Sequence, residues 1–245
     1  MKIICAHQPY FAPYGGFFQK ALQCDVMVLL DSVQFPRGTT WLTRNRFKND
    51  QGTLWLTLPV WKKGLGLQRI MDVKICHEGS WARKHLLSLK TAYANAPYFK
   101  DHEPFLEHVF SDRIAKLVDF NEEIIRHIMD ALKIPVELVR LSALGIDERE
   151  PGLSISVARK LGATHFLAQN SAKKYLDHKG FEDAGINLIF FNPRALVYPQ
   201  LWGQFIPNLS CLDLILNCGP RAADILARGI KNPSASCLAS STPAT

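Results

Sequence analysis

His7, Gln8, Tyr10, Tyr14, Gly15 and Gly16 sit in one short segment between two apolar runs, and Asp31 closes the second run. An imidazole with an ordinary pKa of about 6.5 is the side chain best matched to moving a proton at neutral pH. Gln8, Tyr10 and Tyr14 add hydrogen-bonding tips. Gly15 and Gly16 leave the backbone open, so amides there could hold a phosphate or an oxyanion. Pro9 and Pro13 fix φ and remove donors, which makes this segment an expensive way to build a mere connection. It reads as a ligand loop with His7 as general base. Asp31, too acidic for that task unless buried, orients the imidazole or holds a hydroxyl. Plainer alternatives use the same residues: an aromatic loop that only covers the sheet, a His7 ring that satisfies a loop carbonyl, and Asp31 as a turn cap.

Arg44-Asn45-Arg46 puts two forked cations beside an amide, and guanidinium groups match phosphate oxygens bidentately. If the chain is extended there, Arg44 and Arg46 share a face and Asn45 points away. A solvated basic loop is the alternative. Tyr198, Gln200 and Trp202, in Tyr198-Pro199-Gln200-Leu201-Trp202-Gly203, offer flat aromatic surface for a sugar or base, although Trp202 also suits a core. Asp213 follows Ser210 by three positions, as in a helix capping box. The chain lacks a GxxxxGK[ST] phosphate loop, a GxGxxG turn, a GxSxG elbow and an HExxH helix. Its eight histidines and six cysteines are dispersed, with no CxxC and no ligand spacing, so reduced thiols are expected and no metal or cofactor.

The elements that must position these residues follow a strand and helix alternation. Residues 3–6 and 26–30 read as strands around a helix over 14–23, and their near-continuous apolar character fits a parallel sheet buried on both faces. Residues 32–52 read as a basic loop, followed by strands over 53–60 and 68–75. Helices are expected over 77–94, 103–110, 112–132 and 154–161. The rhythm then returns, with strands over 164–168 and 186–192 and helices over 172–177 and 210–218. The fold class is α/β, a mainly parallel Rossmann-like sheet with a helical insertion over about 77–161.

A chain of 245 residues can bury a sizeable core, and residues 1–230 read as a single α/β domain. Residues 231–245 are rich in Pro, Ser, Ala and Thr, and a mobile tail is expected there. A formal net charge of +7 favours anionic partners. No stretch approaches the roughly 18 apolar residues of a membrane span and the start lacks a signal pattern, so a cytoplasmic location is expected.

The set His7-Gln8-Pro9-Tyr10, Tyr14-Gly15-Gly16-Phe17, Asp25-Val26, Leu30-Asp31-Ser32-Val33-Gln34-Phe35, Arg44-Asn45-Arg46, Leu56-Thr57-Leu58-Pro59-Val60, Tyr175-Leu176-Asp177, Tyr198-Pro199-Gln200-Leu201-Trp202-Gly203 and Leu209-Ser210-Cys211-Leu212-Asp213-Leu214 resembles the WbqC-like protein family. One departure is Ala168-Gln169-Asn170, where relatives often carry a turn of small residues. The resemblance implies a transferase of bacterial surface-glycan (O-antigen) biosynthesis, passing an acyl group such as glycine to the amino group of a nucleotide-linked amino sugar. It adds Gln34 to the substrate-binding residues. The donor would be an acyl thioester, an acyl phosphate or an aminoacyl-tRNA. Two rivals from other classes are a non-catalytic nucleotide-sugar-binding or scaffolding protein, and an RNA-binding protein that uses the basic stretch over 37–63.

Overall fold

The computed structural model describes residues 1–111 and 113–230; the expected tail lies outside them. The first unit is β1 (Ile3–His7), α1 (Gly15–Ala21) and β2 (Val26–Leu29). Later come β5 (Glu137–Arg140), β6 (His165–Gln169) and β7 (Asn187–Phe191), which complete a five-stranded sheet of order β5-β2-β1-β6-β7. All its pairings are parallel, with Ile4 opposite Val26 on one side of β1 and Phe166 on the other. This is the expected α/β class. Successive side chains of a strand face opposite ways, so Ile4, Val28, Phe166 and Ala168 join a core on one face, while Cys5, Met27, Leu29 and Leu167 join a larger one on the other.

α5 (Gly152–Lys160) and α6 (His178–Asp183) contribute Val157, Ala158 and Phe181 to the first core. The larger core takes in α1 and the helical insertion of α2 (Trp81–Tyr93), α3 (Phe99–Ser111) and α4 (Leu117–Ala131), and then α7 (Cys211–Cys218) and α8 (Arg221–Arg228). In α4 the helically spaced apolar residues Leu117, Val118, Ile124, Ile125 and Ile128 are all buried. No helix among the described residues is long and apolar enough to cross a membrane. The five cysteines among them are free.

Four expectations are corrected. The basic loop ends in a strand, β3 (Arg44–Asn49), which pairs antiparallel with β4 (Gly52–Thr57) in a separate hairpin. The expected strand over 68–75 is a short 3-10 turn (Ile70–Asp72) with isolated bridges at Gln34–Arg69 and Val60–Ile75. The expected helix over 172–177 is a 3-10 turn (Asn170–Lys174), and the α-helix starts later because the Asp177 carboxylate accepts from Gly180 N–H and caps α6. Within the central stretch, the residues of β5 leave the helices and form the edge of the main sheet.

Candidate functional site

The chain leaves β1 towards β2 on one side and takes up β6 on the other, so the sheet order reverses between β1 and β6. In open parallel sheets that switch point, beyond the carboxyl ends of the strands, is where a crevice forms. His7 ends β1 and Gln169 ends β6. An inner cavity of about 270 Å³ opens over them, lined also by Gln8, Tyr10, Lys20, Glu150, Ser154, Ser171 and Tyr175. An outer cavity of about 500 Å³ adjoins it and is lined by Tyr14, Trp41, Asn45, Arg46, Pro193, Ala195 and Asn208. Tyr10 and Gln169 belong to both walls, so the two chambers form one stepped cleft.

The loop over 8–13 keeps its shape because its carbonyls, which have no ladder partners, are gripped by two buried amides. Asn45 Nδ2 donates to the carbonyls of Phe11 and Ala12 at 2.9 and 2.7 Å, and Asn121 Nδ2 to that of Pro9 at 2.8 Å. Ala12 is held at a left-handed φ of 42° by these contacts. His7 is 6% exposed, with Tyr10 and Phe17 packed edge-on against its ring. Its Nδ1 lies 2.9 Å from the Gln8 carbonyl, which can only accept, so Nδ1 carries the hydrogen and Nε2 the lone pair. Burial, reinforced by the charge of Lys20, pushes the imidazole down to about 3, so the ring is neutral at physiological pH. Lys20 is 2% exposed and donates to the Ala6 carbonyl at 2.7 Å, and burial lowers its own pKa. Across the inner cavity, burial raises the carboxyl of Glu150, which accepts from the Ser154 hydroxyl.

The structure brings His7, Gln8 and Tyr10 together in the inner chamber, and Tyr10, Tyr14, Asn45 and Arg46 in the outer one. Asp31 does not join them. Its carboxylate is fully buried, and its two oxygens accept from Ser142 N–H and hydroxyl at 2.9 and 2.6 Å, which ties the end of β2 to the turn after β5. The expected pairing of His7 with Asp31 is therefore corrected: both follow strand ends, but this carboxylate is spent on a turn. Gln34 is exposed and lines neither chamber. Gly15 and Gly16 line neither chamber. A Cβ on Gly15 would collide with Leu196, and one on Gly16 with Tyr14 and Pro193, so the side-chain space beside the two glycines is filled by the protein itself. Asn45 keeps no free donor for a ligand, because both its amide hydrogens are taken and its Oδ1 accepts from Arg46 N–H.

Arg44 and Arg46 do share a face of β3, yet they line different cavities. Arg46 lines the outer chamber and donates to the carbonyls of Pro207 and Asn208, whereas Arg44 lines a separate cleft; the guanidinium carbons of Arg44 and Arg46 lie 3.8 and 6.0 Å from the centroid of the Trp55 ring. Gln200 grips Ile206 at both its N–H and its carbonyl, and the Trp202 indole donates to the Ala92 carbonyl at 2.7 Å. Tyr198 packs at a small crevice beside Gly15 and Gly16. None of the three lines either chamber. Ser210 caps α7 by accepting from Leu212 N–H, but Asp213 does not close a capping box: it turns inward to accept from the Tyr93 hydroxyl at 2.8 Å.

Lys20, Glu150, Ser154, Ser171 and Trp41 line the cleft without having been singled out in the sequence, while Gln169 and Tyr175 stood there only within the stretches compared with the family. Gln169 had a readable signal, since it ends a strand as His7 does. Lys20 had one too: a lysine on the same short helix as Phe17, Phe18 and Ala21, all buried.

A protein of Mycobacterium tuberculosis described as uncharacterized, Rv1507c, is 28% identical over 229 residues, which cover 92% of this chain and 98% of that protein. No solved structure matches the chain. The WbqC-like protein family matches residues 8–225, a span that takes in the hairpin, the outer chamber, the inner chamber except Ala6 and His7, and α7. With so much of the chain covered, this protein belongs to the WbqC-like protein family.

Proposed function

We propose that this chain is a transferase of surface-glycan biosynthesis that passes an activated acyl group, such as glycyl, to the amino group of a nucleotide-linked amino sugar. The observation that carries the reading is the stepped cleft at the switch point between β1 and β6. The outer chamber offers aromatic faces and the Arg46 guanidinium, suited to a base and a diphosphate. The inner chamber is lined by Lys20, His7 and Glu150, suited to a sugar bearing an amine. In the reaction the amine attacks the acyl carbon, a C–N bond forms, the bond to the carrier breaks, and the proton lost by nitrogen passes to Nε2 of His7. Family membership agrees with a biosynthetic role.

A second reading is favoured by one observation. An imidazole pushed down to about 3 is a weak base, which suits a protein that binds a nucleotide-sugar without transforming it. Titration calorimetry of wild type, Arg46→Lys and His7→Gln with nucleotide-linked amino sugars, beside an acyl-transfer assay, separates the two. Arg46→Lys should weaken binding by about 1–2 kcal/mol, since lysine keeps the charge but not the fork. Under the transferase reading His7→Gln binds but makes no product, whereas a binding protein yields no product in either form. Absence of binding by every nucleotide-sugar tried would remove both readings.

A further inference from the structure

Arg44 and Arg46 alternate along β3, and only Arg46 is needed by the outer chamber. The Arg44 guanidinium carbon sits 3.8 Å from the centroid of the Trp55 ring, which stacks on Trp41 at 5.9 Å and 28°. Thr39 and Thr40 complete a cleft of about 160 Å³ around these three side chains. Trp41 lines both this cleft and the outer chamber, so the two are neighbours. Both tryptophans are 43% exposed. An indole pair left open to water beside a cation is a stacking platform for a nucleobase with a countercharge for its phosphate. The second observation is that the Nε of Arg44, the one of the two arginines in this cleft, is buried and lacks an acceptor. A buried N–H without a partner is costly, and a phosphate oxygen would satisfy it.

We propose that the Trp41–Arg44–Trp55 cleft binds the phosphorylated adenosine that carries the activated acyl group. The proposal rests on the transferase reading for the acyl group, and on the cleft alone for the nucleotide. Acyl groups activated as coenzyme A thioesters, as esters of the tRNA 3′ end or as adenylates share a phosphorylated adenosine, whereas a simple acyl phosphate has none. A nucleotide-sugar supplies one base and one diphosphate, which the outer chamber and Arg46 accommodate. A second base-and-phosphate cleft beyond the shared Trp41 wall suits the other substrate.

The experiment is tryptophan-fluorescence titration of the full chain with adenosine 3′,5′-bisphosphate, with the trinucleotide CCA and with adenosine monophosphate, each beside a nucleotide-sugar. At least one adenosine probe should bind. Trp55→Ala should weaken it about tenfold, as loss of one base stack does. Arg44→Met keeps an apolar stem over the indole but not the charge; it should weaken the phosphorylated probe while nucleotide-sugar binding stays unchanged. Preference for the bisphosphate points to a thioester carrier, and preference for the trinucleotide to an aminoacyl-tRNA. If adenosine probes bind and no nucleotide-sugar does, the cleft stands and the acceptor falls. If no adenosine probe binds at millimolar concentration, or if both variants bind as wild type, the cleft is not a nucleotide site.

Discussion

At the residue scale, what the sequence reveals is type and place, and what it hides is the partner. His7 and Asp31 look equivalent as sequence, each a polar residue at the end of an apolar run, yet one lines a cavity and the other is consumed by Ser142, which lies 111 positions away. His7 itself makes a measurable prediction. Its folded pKa is about 3 against an ordinary 6.5, so between those values the unfolded chain takes up a proton that the folded chain refuses. Stability is therefore full above pH 6.5 and falls as pH drops towards 3, with a slope of about 1.4 kcal/mol per pH unit for one such group. His127, held down to about 4 by burial and then by His102, adds its own slope over a narrower window. His7→Gln should remove one group's share of this acid slope, read as urea midpoints from pH 7 to 4. An unchanged slope would show that His7 is not a buried neutral imidazole.

At the element scale, β1, β2, β6 and β7 were legible because each is a short, mostly apolar run bounded by turn signals, as strands of a parallel sheet are. β3 was not, because Arg44-Asn45-Arg46-Phe47-Lys48-Asn49 holds a single apolar residue. Its inward side is built from Asn45 and Phe47, and the amide there replaces hydrophobic contact with hydrogen bonds to the loop over 8–13. Edge strand β5, four residues long, was hidden for the related reason that its ends are charged. The role of Asn45 is testable. Asn45→Ala strips donors from the carbonyls of Phe11 and Ala12 and an acceptor from Arg46 N–H, which should cost about 2–4 kcal/mol. Since the same loop carries Gln8 and Tyr10 into the cleft, ligand binding should weaken as well. Gln34→Ala, on an exposed side chain outside both chambers, should stay within about 0.5 kcal/mol of wild type. Equal stability of the two variants would mean that the loop holds its shape without Asn45.

At the scale of the whole molecule, the cleft is assembled from segments far apart in the chain, and one buried polar chain fixes their relation. Lys48 N–H donates to the Tyr93 hydroxyl at 3.1 Å, and that hydroxyl donates to Asp213. The Lys48 ammonium donates to Gln200 and to the Gln204 carbonyl at 3.3 and 2.7 Å. Hairpin, α2, α7 and the rim over 198–206 thus meet at one point, which no local pattern could announce. Burial raises the Asp213 carboxyl, while its hydrogen bonds and Lys48 work against that rise. A raised carboxyl weakens folding as pH climbs from its ordinary 3.8 through its folded value, because the buried group resists ionisation. Tyr93→Phe removes one of the groups holding the rise in check and leaves Lys48 N–H without its acceptor. It should therefore cost about 1–3 kcal/mol, or roughly 2–4 °C of melting temperature per kcal/mol in a chain of this size. The part owed to the carboxylate exists only when Asp213 is ionised, so the deficit should be larger at pH 8 than at pH 3, which lies below even the ordinary value of 3.8. A deficit equal at both values would mean that the Tyr93 hydroxyl serves only the backbone of β3 and that Asp213 is held by its other neighbours.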